Sequence, residues 1–239
     1  MTLKSILFIL PLFFLILTSC NFPNAIKGSK EIVEFEVPIK DLSEIAASGI
    51  YDVQIIQGLE ETATFRCNAN VKEFLNVYQE GQKLYLKMEN MSAISNIIID
   101  ATITVKDLSK ISSSGASNVV LDQASFNDLM LDLSGASKIK ANELSVNNLD
   151  ISASGAASGR LEGQVNTLTT DFNGASKLKA KGLSIEKNAN INASGASNIS
   201  LTLNCDFVVT LSGASELRHY GNGAILEQNI SGVSKVRKK

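Results

Sequence analysis

Eight basic residues fall in two rows that a recurring glycine defines. Counted three residues after each glycine, the first row reads Asn118, Lys138, Ser158, Lys177, Asn198, Glu216 and Lys235. Counted five after, the second reads Val120, Lys140, Arg160, Lys179, Ser200, Arg218 and Arg237. Together they hold eight cations and one acid. Residues two apart on a strand share a face, and both rows take the outward parity. If the segments stack, Lys138, Lys140, Arg160, Lys177, Lys179, Arg218, Lys235 and Arg237 become two adjoining stripes on one face. Such a stripe suits an extended polyanion, either lipopolysaccharide or an acidic surface glycan. The competing role is solubility, because lysine on exposed sheet opposes edge association.

Catalytic and metal-binding parts are sparse. Three residues before each glycine the row reads Ser112, Asp132, Ser152, Asp171, Asn192, Thr210 and Asn229. Its two aspartates would lie two coils apart, roughly 10 Å at a spacing of about 4.8 Å. An inverting carboxylate pair needs about 6.5–9.5 Å. A carbohydrate-active enzyme acting on polysaccharide through a groove is therefore the alternative to a non-catalytic binding protein. His219 is the single histidine, which excludes multi-His metal centres and most Ser-His or Cys-His arrangements. It keeps the inward parity near the end of its segment, where a corner is expected. No CxxC pair, P-loop or EF-hand pattern occurs. No catalytic residue, metal ligand or cofactor is assigned. Trp is absent, and Phe172 and Phe207 take inward parity, so stacking on neutral sugars is disfavoured, with Tyr51, Tyr78 and Tyr85 left unplaced. The outward Ser and Ala beside each glycine form a small-residue face on which an envelope protein would fit.

The elements that must position these rows come from a repeated phrase. It reads SSGASNV around Gly115, LSGASKI around Gly135, ASGAASG around Gly155 and FNGASKL around Gly174, then ASGASNI at Gly195, LSGASEL at Gly213 and ISGVSKV at Gly232. The gaps are 20, 20, 19, 21, 18 and 19 residues. A period near 20 predicts an all-β solenoid with one repeat per coil. In the Gly135 copy Leu129, Leu131, Leu133, Gly135, Ser137, Ile139 and Ala141 share one parity. Glycine and the second serine are thus expected to face inward, the glycine relieving crowding at a corner. Each buried serine needs a hydrogen bond, expected from backbone groups at its own corner. The Gly155 copy departs, with Ala157 for serine and Gly159 for the aliphatic, and a thinner coil is expected there. The C-terminal Val236-Arg237-Lys238-Lys239 suits an open end.

Residues 31–110 are strand-rich without the phrase and give an irregular β-rich N-terminal part. Ile32, Glu34 and Glu36 alternate with Val33, Phe35 and Val37 as a half-buried strand. Asn76 to Glu80 and Lys83 to Met88 flank Gly81-Gln82 as a hairpin. Asn70 to Leu75 reads as one helical turn, and Ile97 to Val105 as a strand leading into the repeats. Ser48-Gly49 is a degenerate first copy of the phrase.

The first residues read as an address. Lys4 precedes an apolar run of 12 residues, Ile6 to Leu17, too short for a span of about 20 and suited to a signal peptide. Leu17-Thr18-Ser19-Cys20 resembles a bacterial lipobox, which implies cleavage before Cys20 and lipid on its sulfur. The expected divisions are 1–19 signal peptide, 20–30 lipid-anchored tether and 31–239 solenoid domain. The processed chain would have 239 − 19 = 220 residues, and without Lys4 its formal charge is 21 − 24 = −3. That balance gives no bias towards nucleic acid. Partners expected are the membrane, through the N-terminal lipid, and then an acidic glycan, lipopolysaccharide or an envelope protein. Location in the cell envelope follows, with the outer membrane favoured by Asn21 after the lipid cysteine; the membrane face stays open. Cys67 and Cys205 would be separated by several coils, beyond the reach of a disulfide, and are expected as buried free thiols.

The Ser-Gly-Ala-Ser phrase at about 20-residue intervals, with Ser48-Gly49-Ile50-Tyr51-Asp52-Val53-Gln54-Ile55-Ile56-Gln57-Gly58 ahead of it, resembles the head GIN domain family of putative auto-transporter adhesins over roughly residues 32–236. The resemblance implies a right-handed parallel β-helix-like fold in a bacterial lipoprotein. It brings no catalytic residues.

Overall fold

The computed structural model describes residues 26–89 and 94–239; the expected signal peptide and Cys20 lie outside them. The protein is all-β, 67% strand and 3% helix, and forms a β-solenoid of about 6 turns with about 20 residues per coil. Strands after successive glycines stack in parallel and in register, as do strands before them. In the Gly135 coil the buried residues are Ile139 and Ala141, then Leu144 and Val146, then Leu149, Ile151 and Ala153. Alternation breaks between these groups, at Asn142–Glu143 and Asn147–Asn148, so each coil presents three short faces around one apolar core. Parallel stacking lets one hydrophobic column run the length of the molecule.

The glycines form a column, with Gly49 at its head, but they are exposed rather than inward. Their role is therefore not to relieve the axis. Gly115 to Gly232 have φ between +67° and +78°, a left-handed region that costs an L-residue about 1–2 kcal/mol. A Cβ on Gly115, Gly135, Gly155, Gly174, Gly195 or Gly213 would sit 2.5–2.8 Å from the carbonyl oxygen of the glycine in the preceding coil. That oxygen is already occupied: Ala136 N–H donates to Gly115 O at 2.8 Å, and Ala156 N–H to Gly135 O at 2.7 Å. The ladder thus continues through the corner, and only a residue without a side chain leaves room for it.

The second serines Ser117, Ser137, Ser176, Ser197 and Ser215 are buried as expected, and Ser234 in the terminal coil is half-buried. Ser176 Oγ donates to Asn173 O at 3.0 Å and Ser197 Oγ to Ser194 O at 3.0 Å, each at its own corner. Ser137 Oγ departs and has no partner. At Gly159 an added Cβ would meet Leu178 Cδ1 at 3.0 Å and Ile139 Cγ2 at 3.5 Å, so the neighbouring aliphatics fill the space the glycine leaves.

Within the N-terminal part the order in space is not the order in sequence. Glu44–Gly49 pairs with Lys110–Gly115, and Asp52–Gln57 with Asn118–Asp122. On their other side lie Lys83–Met88 and Ile99–Val105. The strand expected to lead into the repeats therefore stacks outside the first coil, and the chain returns past it to Lys110. Antiparallel strands Ile32–Glu36, Thr62–Asn68 and Leu75–Glu80, with the 3-10 turn Ala69–Phe74, close that end. The hairpin and helical turn read from the sequence are both present. Ile26–Lys27 pairs with Ile94–Ser95, so the expected tether is held against the domain from Ile26 onward. At the opposite end every residue of Ile225–Ile230 is exposed, and among the described residues Lys235–Lys238 has no further strand beside it.

Candidate functional site

The register places the basic rows as the repeat predicts. Lys138 aligns with Ser158 and Lys140 with Arg160; those align in turn with Lys177 and Lys179. The rows continue through Asn198 and Ser200 to Glu216 and Arg218, then Lys235 and Arg237. Towards the capped end they run into Asp52 and Asp100. One sheet face thus changes sign along its length, because each coil contributes one residue per row.

Side-chain contacts divide the eight cations. Glu216 receives Arg218 at 2.7 Å and Arg237 at 3.0 Å, and Glu162 receives Arg160 at 3.1 Å. Lys138, Lys140, Lys177 and Lys179 are exposed, and none forms an ion pair among the described residues. They stand around a trough of about 330 Å³ whose floor is Ile139 and Gly159, with Ser158 and Arg160 between the lysine pairs. Pairs two coils apart repel by only about 0.4 kcal/mol at 10 Å in water-like dielectric, so a folded protein holds them together easily. The adjacent Asp122 carboxyl is held below its ordinary range, first by the Asn142 amide, then by Gln54, with Lys140 adding to it. Lys235, at the C-terminal end, is also exposed and unpaired among the described residues, but it stands alone; four of the stripe's five free lysines gather at the middle coils, and its C-terminal arginines are paired with Glu216.

The remaining candidates separate. Asp132, Ser152 and Asp171 align in one row, with Lys110 3.9 Å from Asp132 and Asn173 donating to Asp171 at 3.1 Å. No group of three or more His, Cys, Asp or Glu is placed to hold a metal among the described residues. His219 lies within the strand Glu216–Tyr220 rather than at a corner, buried edge-on to Phe207 at 5.0 Å with Nδ1 unpartnered. Burial, then Lys238, lowers its pKa. Cys67 and Cys205 are free and buried, and burial pushes both thiols up. Tyr51 is buried, donates from its hydroxyl to Lys87 O at 2.7 Å, and has a raised pKa chiefly from burial.

One arrangement escaped the sequence reading. Tyr78 and Tyr85 stack at 5.0 Å across the hairpin, with Lys87 4.6 Å from the Tyr85 ring and donating to Tyr78 Oη at 2.7 Å. The signal was available, since a two-residue turn at Gly81-Gln82 puts the two tyrosines opposite each other. Lysines cover these rings, so they act as a platform for cations.

Among the described residues no helix is long and apolar enough to cross a membrane. The family described as putative auto-transporter adhesin, head GIN domain, matches residues 41–223. A putative adhesin from Bacteroides fragilis superposes with a TM-score of 0.79 at 17% identity, covering 90% of this chain and 100% of that one. A putative lipid binding protein from Parabacteroides distasonis gives 0.69 at 17% identity, covering 90% and 99%. A putative adhesin from Parabacteroides merdae gives 0.68 at 16% identity, also covering 90% and 99%. No curated protein matches the sequence.

Proposed function

The chain belongs to the head GIN domain family of putative auto-transporter adhesins, and on that premise we propose that it is a non-catalytic, lipid-anchored binding module of the cell envelope. Lipid on Cys20 fixes it to the membrane, the outer membrane by the Asn21 argument, and the solenoid presents its basic face to an acidic glycan or lipopolysaccharide. The observation that carries this is the group of four unpaired lysines around a trough, on a protein whose formal net charge is −2. A face meant only for solubility has no need to collect cations of one sign while acids gather elsewhere on the same sheet. A non-catalytic role is supported by the Asp132–Ser152–Asp171 row, where the two carboxylates are set apart and engaged by Lys110 and Asn173.

The test is retention on immobilised heparin and on lipopolysaccharide as salt is raised, comparing the wild type with a Lys138, Lys140, Lys177, Lys179→Ser variant. Counterion release makes the salt slope proportional to the cations engaged, so the variant should lose up to about 3 from that slope. Equal retention of the two proteins would discard the reading. Palmitate labelling lost on Cys20→Ser, and protease access on intact cells, test the anchor and the exposed membrane face.

A further inference from the structure

The trough has a shape as well as a charge. Its long walls are the stems of Lys138 and Lys140 on one side and of Lys177 and Lys179 on the other, two coils away. By strand geometry the four Cα atoms from which the lysines rise mark a rectangle of roughly 7 by 10 Å. The space between exists because the intervening coil carries Ser158, a short residue, where both neighbours carry lysine, while Arg160 in the second row is paired with Glu162. The lining is mostly carbon, from lysine methylenes that snorkel along the sheet above the backbone of Ile139 and Gly159, whose own side of the strand faces the core. A volume of about 330 Å³ is at the small end of ligand sites.

We propose that this trough seats a stretch of acidic oligosaccharide lying along the strands, across the solenoid axis. The sugar ring's C–H face rests against the lysine methylenes that supply most of the lining carbon, and its carboxylate, sulfate or phosphate substituents reach the ammonium groups on either edge. This rests on the polyanion reading above and sharpens it. A bare polyanion has charge but no apolar face, so it gains nothing from the methylene walls and binds the lysines wherever they stand. Ser158 is then a specificity residue, acting by leaving room.

That role separates the trough from plain electrostatics, because a lysine at position 158 adds attraction while filling the seat. The experiment is calorimetric titration of the purified protein with a heparin hexasaccharide and, separately, with polyphosphate. Ser158→Lys should weaken the hexasaccharide about tenfold, one well-placed contact set in affinity terms, while holding or strengthening polyphosphate. Ser158→Gln fills the space without charge and should weaken the hexasaccharide equally; Ser158→Ala should keep wild-type affinity. If Ser158→Lys tightens both probes, the seat is wrong and generic polyanion binding survives. If the wild type binds neither probe, the polyanion reading falls and this inference with it.

Discussion

Replacing Gly135 by alanine tests the corner ladder directly. The position has φ of +67°, which costs an L-residue about 1–2 kcal/mol. The new Cβ would lie 2.8 Å from Gly115 O, where the Ala136 N–H already donates at 2.8 Å. Relieving that clash lengthens the hydrogen bond, worth about 0.5–1.5 kcal/mol net. The two effects together give a loss of about 1.5–3.5 kcal/mol. For a domain near 200 residues that corresponds to roughly 3–14 °C in melting temperature. Gly81→Ala supplies the control, since its φ is +59° but nothing lies within 4 Å of the added Cβ; it should lose only the dihedral part, about 1–2 kcal/mol. Gly182→Ala, without positive φ and facing only the flexible Glu162 side chain, should be close to neutral. Urea unfolding of the three variants measures the order. If Gly135→Ala costs no more than Gly81→Ala, the stacked carbonyl is irrelevant and the corner account is wrong.

Other consequences follow from the same structure. His219 is buried with a lowered pKa, so the unfolded chain binds its proton more readily than the folded one. Its contribution to stability is present above the unfolded value of about 6.5 and is lost as pH falls from there towards the folded value. Urea midpoints should drop between pH 7.5 and pH 5, and His219→Leu should flatten that drop. Cys67 and Cys205 should resist a thiol reagent in the native protein and react fully in urea, with no disulfide by mass spectrometry; fast native labelling would contradict their burial. Hydrogen exchange should be fastest in Ile225–Ile230 and Lys235–Lys238, which form the open end, and slowest in Ser158–Phe172, which has a strand on both sides; uniform exchange would show that the end is covered in solution.

The repeat made much of the solenoid legible. A left-handed corner that recurs at fixed spacing demands glycine each time, so the chain announces its own coil length. Once the coil length is known, period-two alternation assigns inside and outside, and the Lys138–Lys140 and Lys177–Lys179 rows follow by counting. The glycine's own reason was misread, because alternation cannot distinguish an inward residue from one at a corner where the parity is interrupted.

The order of stacking was decided elsewhere. Gly49 and Gly115 touch although 66 residues separate them, and the chain between builds the cap outside the first coil. No local pattern encodes that detour, since strand pairing there depends on which edges are left unpaired in space. The same holds for the charges. Rows count eight cations, but reach and direction let Glu216 hold Arg218 and Arg237, and Glu162 hold Arg160, while the five lysines form no ion pair among the described residues. The amino-acid sequence by itself determined period, parity and charge rows, because backbone sterics impose them residue by residue. Only the tertiary structure decided which coil lies beside which, which cations are neutralised, and that a serine between lysines opens a trough, because those depend on contacts between distant residues.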